Sequence, residues 1–384
     1  MSMTSKERLM KAMRCKKADY VPVSPDISVM VPDRLTGIPL FEIHLDGREH
    51  HGWTSATHAE AYIDAVKYFG MDGFYMYGGI KEIRPDGAPE FEEEIIDVPE
   101  GKLVRRICKT SKGDLREGEM YYADEPPWRN EKPIKDLRQD FEKMKIYMGE
   151  ESWQYEKNFS DYDRIGDLGV YSGMIPLFQD WWFHNRHGGF EQCFMDFMYE
   201  TDFMDQVHEY WMNWALTNVQ AMIEAKPDVL MLGGSSASLS VSSPTIFRKY
   251  ELPFIQAATK VCKKAGIISH LHVCGKSLQL VEIVAEESNL DSMEPLEEPP
   301  GGNVDLKEIK RRYGKRLAIK GNLNTTEFML YATPQEVEEK CKRVIDDAGD
   351  EGGFILSTGD QCGRDTPDAN LFKMVEVAKT YGRY

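Results

Sequence analysis

Three residues stand out for the chemistry they could do together: His272, Cys274 and Cys362. His272 and Cys274 close the apolar run Ile-Ile-Ser-His-Leu-His-Val-Cys-Gly at 267–275, which reads as a buried parallel strand bounded by Gly266. Residues i and i+2 of a strand point the same way, so an imidazole and a thiol project together from its carboxyl end. The run Gly-Phe-Ile-Leu-Ser-Thr-Gly at 353–359 reads as the last strand, and Cys362 follows it in Asp-Gln-Cys-Gly. In a closed barrel both strand ends face one mouth, where one imidazole and two thiolates with an open position describe catalytic zinc. Glu294, at the end of the intervening strand, is the candidate for a fourth ligand. His270 lies deeper and reads as a packing or orienting residue. The blander alternative is a satisfied core histidine and cysteines acting as small hydrophobes.

The elements that must place these residues are legible in order. Residues 4–14 read as a capped helix, and 19–25 as a short first strand broken by prolines, with Asp26 at its exit. A helix over 57–70 and a strand over 71–77 make one step, ending at Tyr77. Residues 80–125 change to short runs separated by Gly and Pro, an antiparallel excursion. Residues 165–172 read as a strand, followed by a helix-rich stretch with Trp181 and Trp182. From 229 onward the chain alternates strand and helix: strands at 229–232, 267–273, 290–296, 317–321 and 354–358, helices at 244–266, 276–288, 305–314, 334–349 and 367–382. Five such units in succession, with three strands upstream, favour a (β/α)8 TIM barrel over a doubly wound sheet. The expected organisation is one domain over 1–384 with an antiparallel insertion at about 80–125. The Gly-Gly-Ser-Ser run at 233–236 matches no phosphate-binding fingerprint.

Composition narrows the function. With 41% hydrophobic and 29% charged residues the 384-residue chain is of ordinary globular make-up. A formal charge of −17 argues against a nucleic-acid partner. No apolar run reaches the length of a membrane helix and no leader pattern opens the chain, so a cytoplasmic location is expected. Seven scattered cysteines fit reduced thiols better than a disulfide framework.

These motifs resemble the uroporphyrinogen decarboxylase superfamily. The opening Thr-Ser-Lys-Glu-Arg-Leu-Met-Lys-Ala-Met-Arg and Asp-Tyr-Val-Pro-Val, then Ser-Pro-Thr-Ile-Phe-Arg-Lys-Tyr-Glu-Leu-Pro at 243–253, His-Val-Cys-Gly, Gly-Asn at 321–322 and the closing Gly-Asp-Gln-Cys-Gly carry the likeness. His-x-Cys with a distant Cys is similar to the branch of zinc-dependent methyltransferases acting between a corrinoid protein and a thiol such as coenzyme M. The resemblance implies that His272, Cys274 and Cys362 ligate zinc, and that a methylcobamide is carried by a partner protein docking at the barrel mouth. It implies a small-molecule methyl donor or acceptor, and neither a nucleic acid nor a membrane as partner. Asn322, Asp26, Trp181 and Tyr77 are candidate substrate contacts by position. A metal-free decarboxylase using Asp26 is the rival reading, and a binding module without turnover is another. The arginine-rich motif Arg-Gln-Ala-Gly-Arg of the decarboxylases is absent.

Overall fold

The computed structural model describes residues 3–46, 56–76, 80–84, 86–149, 154–157 and 159–384. In chain order its strands are β1 (Gly73–Tyr75), β2 (Ile80–Ile83), β3 (Phe91–Val98), β4 (Gly101–Thr110), β5 (Gly113–Tyr122), β6 (Trp128–Glu131), β7 (Gln154–Lys157), β8 (Gly169–Pro176), β9 (Val229–Gly233), β10 (Ile268–His272), β11 (Ser292–Glu294), β12 (Ala318–Leu323) and β13 (Phe354–Thr358). Strands β1, β8, β9, β10, β11, β12 and β13 form one parallel sheet in that order. Helices alternate with its strands, a curled arrangement of the TIM-barrel type.

The expected first strand at 19–25 is reduced to single bonds. Val23 bridges Leu356 of β13 in parallel, and the Leu356 N–H donates to the Pro22 carbonyl at 2.8 Å. On the other side the Asp72 N–H donates to the Val23 carbonyl at 2.8 Å, one residue before β1. Pro22 and Pro25 have no N–H to give a ladder, which limits the segment to this lacing between the two edges of the sheet.

Side chains alternate across the sheet. Phe74, Val170, Val229, Met231, Ile268 and Ile355 share one cluster on its inner face, packed against Leu9 of the helix Ser5–Ala12 and Met13 at its C-cap. Leu271, Met293, Ile319 and Leu356 belong to the larger cluster under the surrounding helices. Strands buried on both faces explain the near-continuous apolar runs. By the same alternation His270, His272, Glu294, Lys320 and Asn322 face inward.

Local signals account for the helices. Thr4 and Glu7 form a capping box at the first, and Thr333 and Glu336 another at Pro334–Ala348. The helix expected at 244–266 is interrupted: Pro244–Ile246 passes into a π-turn at Phe247–Glu251, and Leu252–Ala265 follows. Pro253 offers no N–H to the Lys249 carbonyl, and the wider turn absorbs that loss. The antiparallel residues run further than 125. Strands β3, β4, β5 and β6 form one sheet reaching Glu131, whereas β2 pairs separately with β7. The four-stranded sheet lies between β1 and β8 in the chain, and Arg106 at its centre bonds Glu93, Glu117 and Glu119.

Candidate active site

Strand β10 brings the first two predicted ligands to the inner carboxyl end of the sheet. His272 ends the strand, and Cys274 follows close enough to share a hydrogen bond with its ring. The chain then turns through Gly275 at φ +71°, where an added Cβ would lie 2.5 Å from Ser240 Oγ and 2.8 Å from Ser238 Oγ. Glycine is required there, and the close packing fixes where Cys274 sits. The Gly275 N–H donates to Glu297, which anchors the same turn from the β11 side.

Directly across the ladder from His272 is Glu294. His272 Nδ1 donates to Glu294 Oε1 at 3.1 Å, and His270 Nε2 stands 3.4 Å from the same oxygen. Lys320 Nζ donates to Oε2. The four side chains are almost wholly buried: His270 0%, Glu294 1%, Lys320 2% and His272 9% exposed. Burial alone would raise the Glu294 carboxyl, but Lys320 and the two imidazoles outweigh it and hold it well below the usual carboxylate range. Burial also opposes charge on His272, yet Cys274, Glu294 and Asp360 favour positive charge there. His270, beside Lys320 and edge-on to Phe74 at 5.0 Å, is pushed down, chiefly by burial.

Cys362 reaches the same region from β13. Its N–H donates to the Asp26 carbonyl at 2.8 Å, and its thiol bonds Thr358 and lies near Thr366, whose hydroxyl has no partner among the described residues. Burial, with Asp26 and Asp360 nearby, pushes that thiol up to about 12. Asp26 is buried too; its N–H donates to Thr358 Oγ1 at 2.9 Å and its carboxylate accepts from Ser28. Burial raises it to about 6 against the pull of Lys320. Asp26, Phe74, Met76 and Lys320 line one small cavity beside the Glu294 cluster.

The predicted contacts divide. Asn322 donates its Nδ2 to the Leu296 carbonyl at 2.9 Å, leaving a buried Oδ1 without a protein partner among the described residues. Trp181 is packed between Phe178 and Trp182 on the helix Phe178–Asn185, as a core residue. Tyr77 lies outside the described residues. Glu294 has both oxygens engaged by side chains, His272 on Oε1 and Lys320 on Oε2.

Among the described residues, no three His, Cys, Asp or Glu side chains are gathered as a metal cluster. The donor set nonetheless fits zinc in kind. An imidazole and a thiol are adjacent, the imidazole is oriented by a carboxylate as metal-bound histidines are, and a second thiol comes from the loop after β13.

Sequence reasoning missed two groups. Lys320 carried a usable signal, a lysine inside the apolar run Leu-Ala-Ile-Lys-Gly, since a lysine buried in a strand requires a partner. Asp180 carried none: its carboxylate accepts the Ser236 N–H at 2.7 Å and lies near His272, a relationship created by tertiary packing.

The sequence pattern of the uroporphyrinogen decarboxylase (URO-D) family matches residues 185–381, just over half of the chain. The chain belongs to the uroporphyrinogen decarboxylase family. Within that family it is 26% identical over 228 residues to the methylcobamide:CoM methyltransferase MtbA of Methanosarcina mazei, a match covering 59% of this chain and 60% of that protein. It is also 24% identical over 164 residues to the uroporphyrinogen decarboxylase of Chlorobium phaeobacteroides, covering 42% of this chain and 44% of the decarboxylase. A solved methyltransferase from Methanosarcina mazei superposes with a TM-score of 0.67 at 16% identity, over 99% of both chains. That superposition establishes a shared fold. No helix among the described residues is long and apolar enough to cross a membrane.

Proposed function

We propose that this protein is a zinc-dependent methyltransferase that moves a methyl group between a corrinoid protein and a thiol or related acceptor, or from a methylated donor to the corrinoid protein. The observation that carries the reading is the pairing of His272 with Cys274 at a strand end, with the imidazole held by Glu294. His272, Cys274 and Cys362 would hold the metal. Bound there, zinc supplies the acidity that turns an incoming thiol into a thiolate near neutral pH. The methylcobamide:CoM methyltransferases among its relatives support the reaction class.

The chain's own residues position the reactants. Glu294 orients His272, the Gly275 turn places Cys274, and Asn322 offers its unpartnered Oδ1 to a donor group on the small substrate. The apolar strands beneath exclude water from the inner face. A corrinoid is too large for the small cavity beside Asp26, so it would arrive on a partner protein docking over the strand ends. We read residues 1–384 as a single (β/α)8 domain, with residues 19–25 as its eighth stave and the antiparallel strands as an insertion.

The test is metal analysis of the purified protein together with methyl transfer from methylcobalamin to a panel of thiols. Near-stoichiometric zinc and thiol methylation are expected, both lost in Cys274→Ala with the fold retained. Full transfer by a metal-free Cys274→Ala protein would refute the proposal, and metal-free release of CO2 from a porphyrinogen acid would install the decarboxylase in its place.

A further inference from the structure

A lysine with 2% exposure in an apolar strand is costly, because transferring an ammonium out of water costs several kcal/mol even after relaxation. If its purpose were stability alone, two apolar residues in place of Lys320 and Glu294 would serve as well or better. An apolar pair could not divide a carboxylate between two tasks. Here Lys320 occupies Glu294 Oε2, and Oε1 faces His272 Nδ1 at 3.1 Å.

We propose that Lys320 is a positioning residue of the metal site, an inference that rests on the zinc reading of His272. A neutral imidazole has one N–H and one lone pair, and the partner of one nitrogen decides which the other carries. By fixing one oxygen of Glu294, Lys320 turns the other to His272 as an acceptor, which places the ring proton on Nδ1 and reserves Nε2 for the metal. His270 shares Oε1 from 3.4 Å, so without Lys320 the carboxylate has two imidazoles to choose between and no fixed orientation. A merely structural ion pair would leave zinc affinity unchanged once Lys320 is removed from a protein that still folds.

Zinc affinity, measured by chelator competition on wild type, Lys320→Arg and Lys320→Met, tests the idea apart from turnover. Lys320→Met is expected to bind zinc 10- to 100-fold more weakly, the range typical for loss of an outer hydrogen-bond partner, with Lys320→Arg largely restoring it. Equal affinity in a folded Lys320→Met protein would overturn the proposal. Wild type without zinc affinity would instead overturn the zinc reading, and this inference with it. Should Lys320→Met not fold, nitrogen NMR of zinc-loaded, histidine-labelled wild type decides: metal on Nε2 of His272 with a proton on Nδ1 supports the role of Lys320, and metal on Nδ1 excludes it.

Discussion

His272 and Glu294 stand opposite each other across a single rung of parallel pairing, joined by a 3.1 Å hydrogen bond from Nδ1 to Oε1. A strand register therefore does the work that a flexible loop would do less reliably: it sets which nitrogen of the ring is engaged. The carboxylate is in turn tied to the next strand through Lys320, so three consecutive strands share one buried charge network.

The first prediction concerns that network. Glu294→Gln removes the carboxylate that the buried Lys320 ammonium bonds, leaving only Asp26 nearby to offset its charge, and breaking a buried pair costs about 3–5 kcal/mol. Adding Lys320→Met to Glu294→Gln is expected to recover part of the loss, because the second change removes the stranded charge. Urea unfolding of the two single variants and the double checks this. Additive losses would show that the two residues are not coupled.

A second prediction separates ligand from core residue at Cys362. Its thiol bonds the Thr358 hydroxyl, and the Thr366 hydroxyl near it has no partner among the described residues, so a serine hydroxyl can bond there equally well. Cys362→Ser should therefore alter stability by no more than about 1 kcal/mol, within the range of one exchanged hydrogen bond, while zinc content falls sharply. Unchanged zinc in Cys362→Ser would remove this residue from the ligand set.

The third concerns pH and a buried carboxyl outside the candidate ligand set. Glu251, fully buried on the π-turn, accepts the N–H groups of Phe178 and Gln179 at 2.9 Å each and so starts the helix that carries Asp180. Burial, only partly offset by those bonds, raises its carboxyl to about 7. A carboxyl raised on folding holds a proton that the unfolded chain has already lost, so stability falls as pH rises from about 4.5 to 7. Glu251→Gln cannot titrate. Its stability relative to wild type should improve across that window, by up to about 3 kcal/mol, as read from denaturation midpoints at pH 5 and pH 8. A constant difference between the two proteins would contradict the assignment.

Much of this arrangement could be read from the chain because its cues are local. Alternation in 267–275 put His272 and Cys274 on one face, and the Gly-bounded run before Cys362 put that thiol at a strand end. What escaped was set by neighbours remote in sequence. Lys320 makes sense only beside Glu294, Asp180 only beside Ser236, and Glu251 only under the helix Phe178–Asn185. The first strand read as short and broken by prolines, and Pro22 and Pro25 reduce it further, to a bridge. The π-turn likewise arose where a clear helical pattern met Pro253.

The proline-limited lacing at Val23 also sets the order in which the molecule can be finished. Ser357 Oγ donates to the Ser24 carbonyl across 333 positions of sequence, and Leu356 bonds Pro22 on the same seam. During synthesis, residues 22–24 leave the ribosome long before their partner strand exists. Until Phe354–Thr358 emerges, the nascent chain carries an unsealed sheet edge, and contacts this distant in sequence are slow to form. The growing polypeptide should depend on chaperone protection until that strand has emerged and converts an open sheet edge into a bridged one.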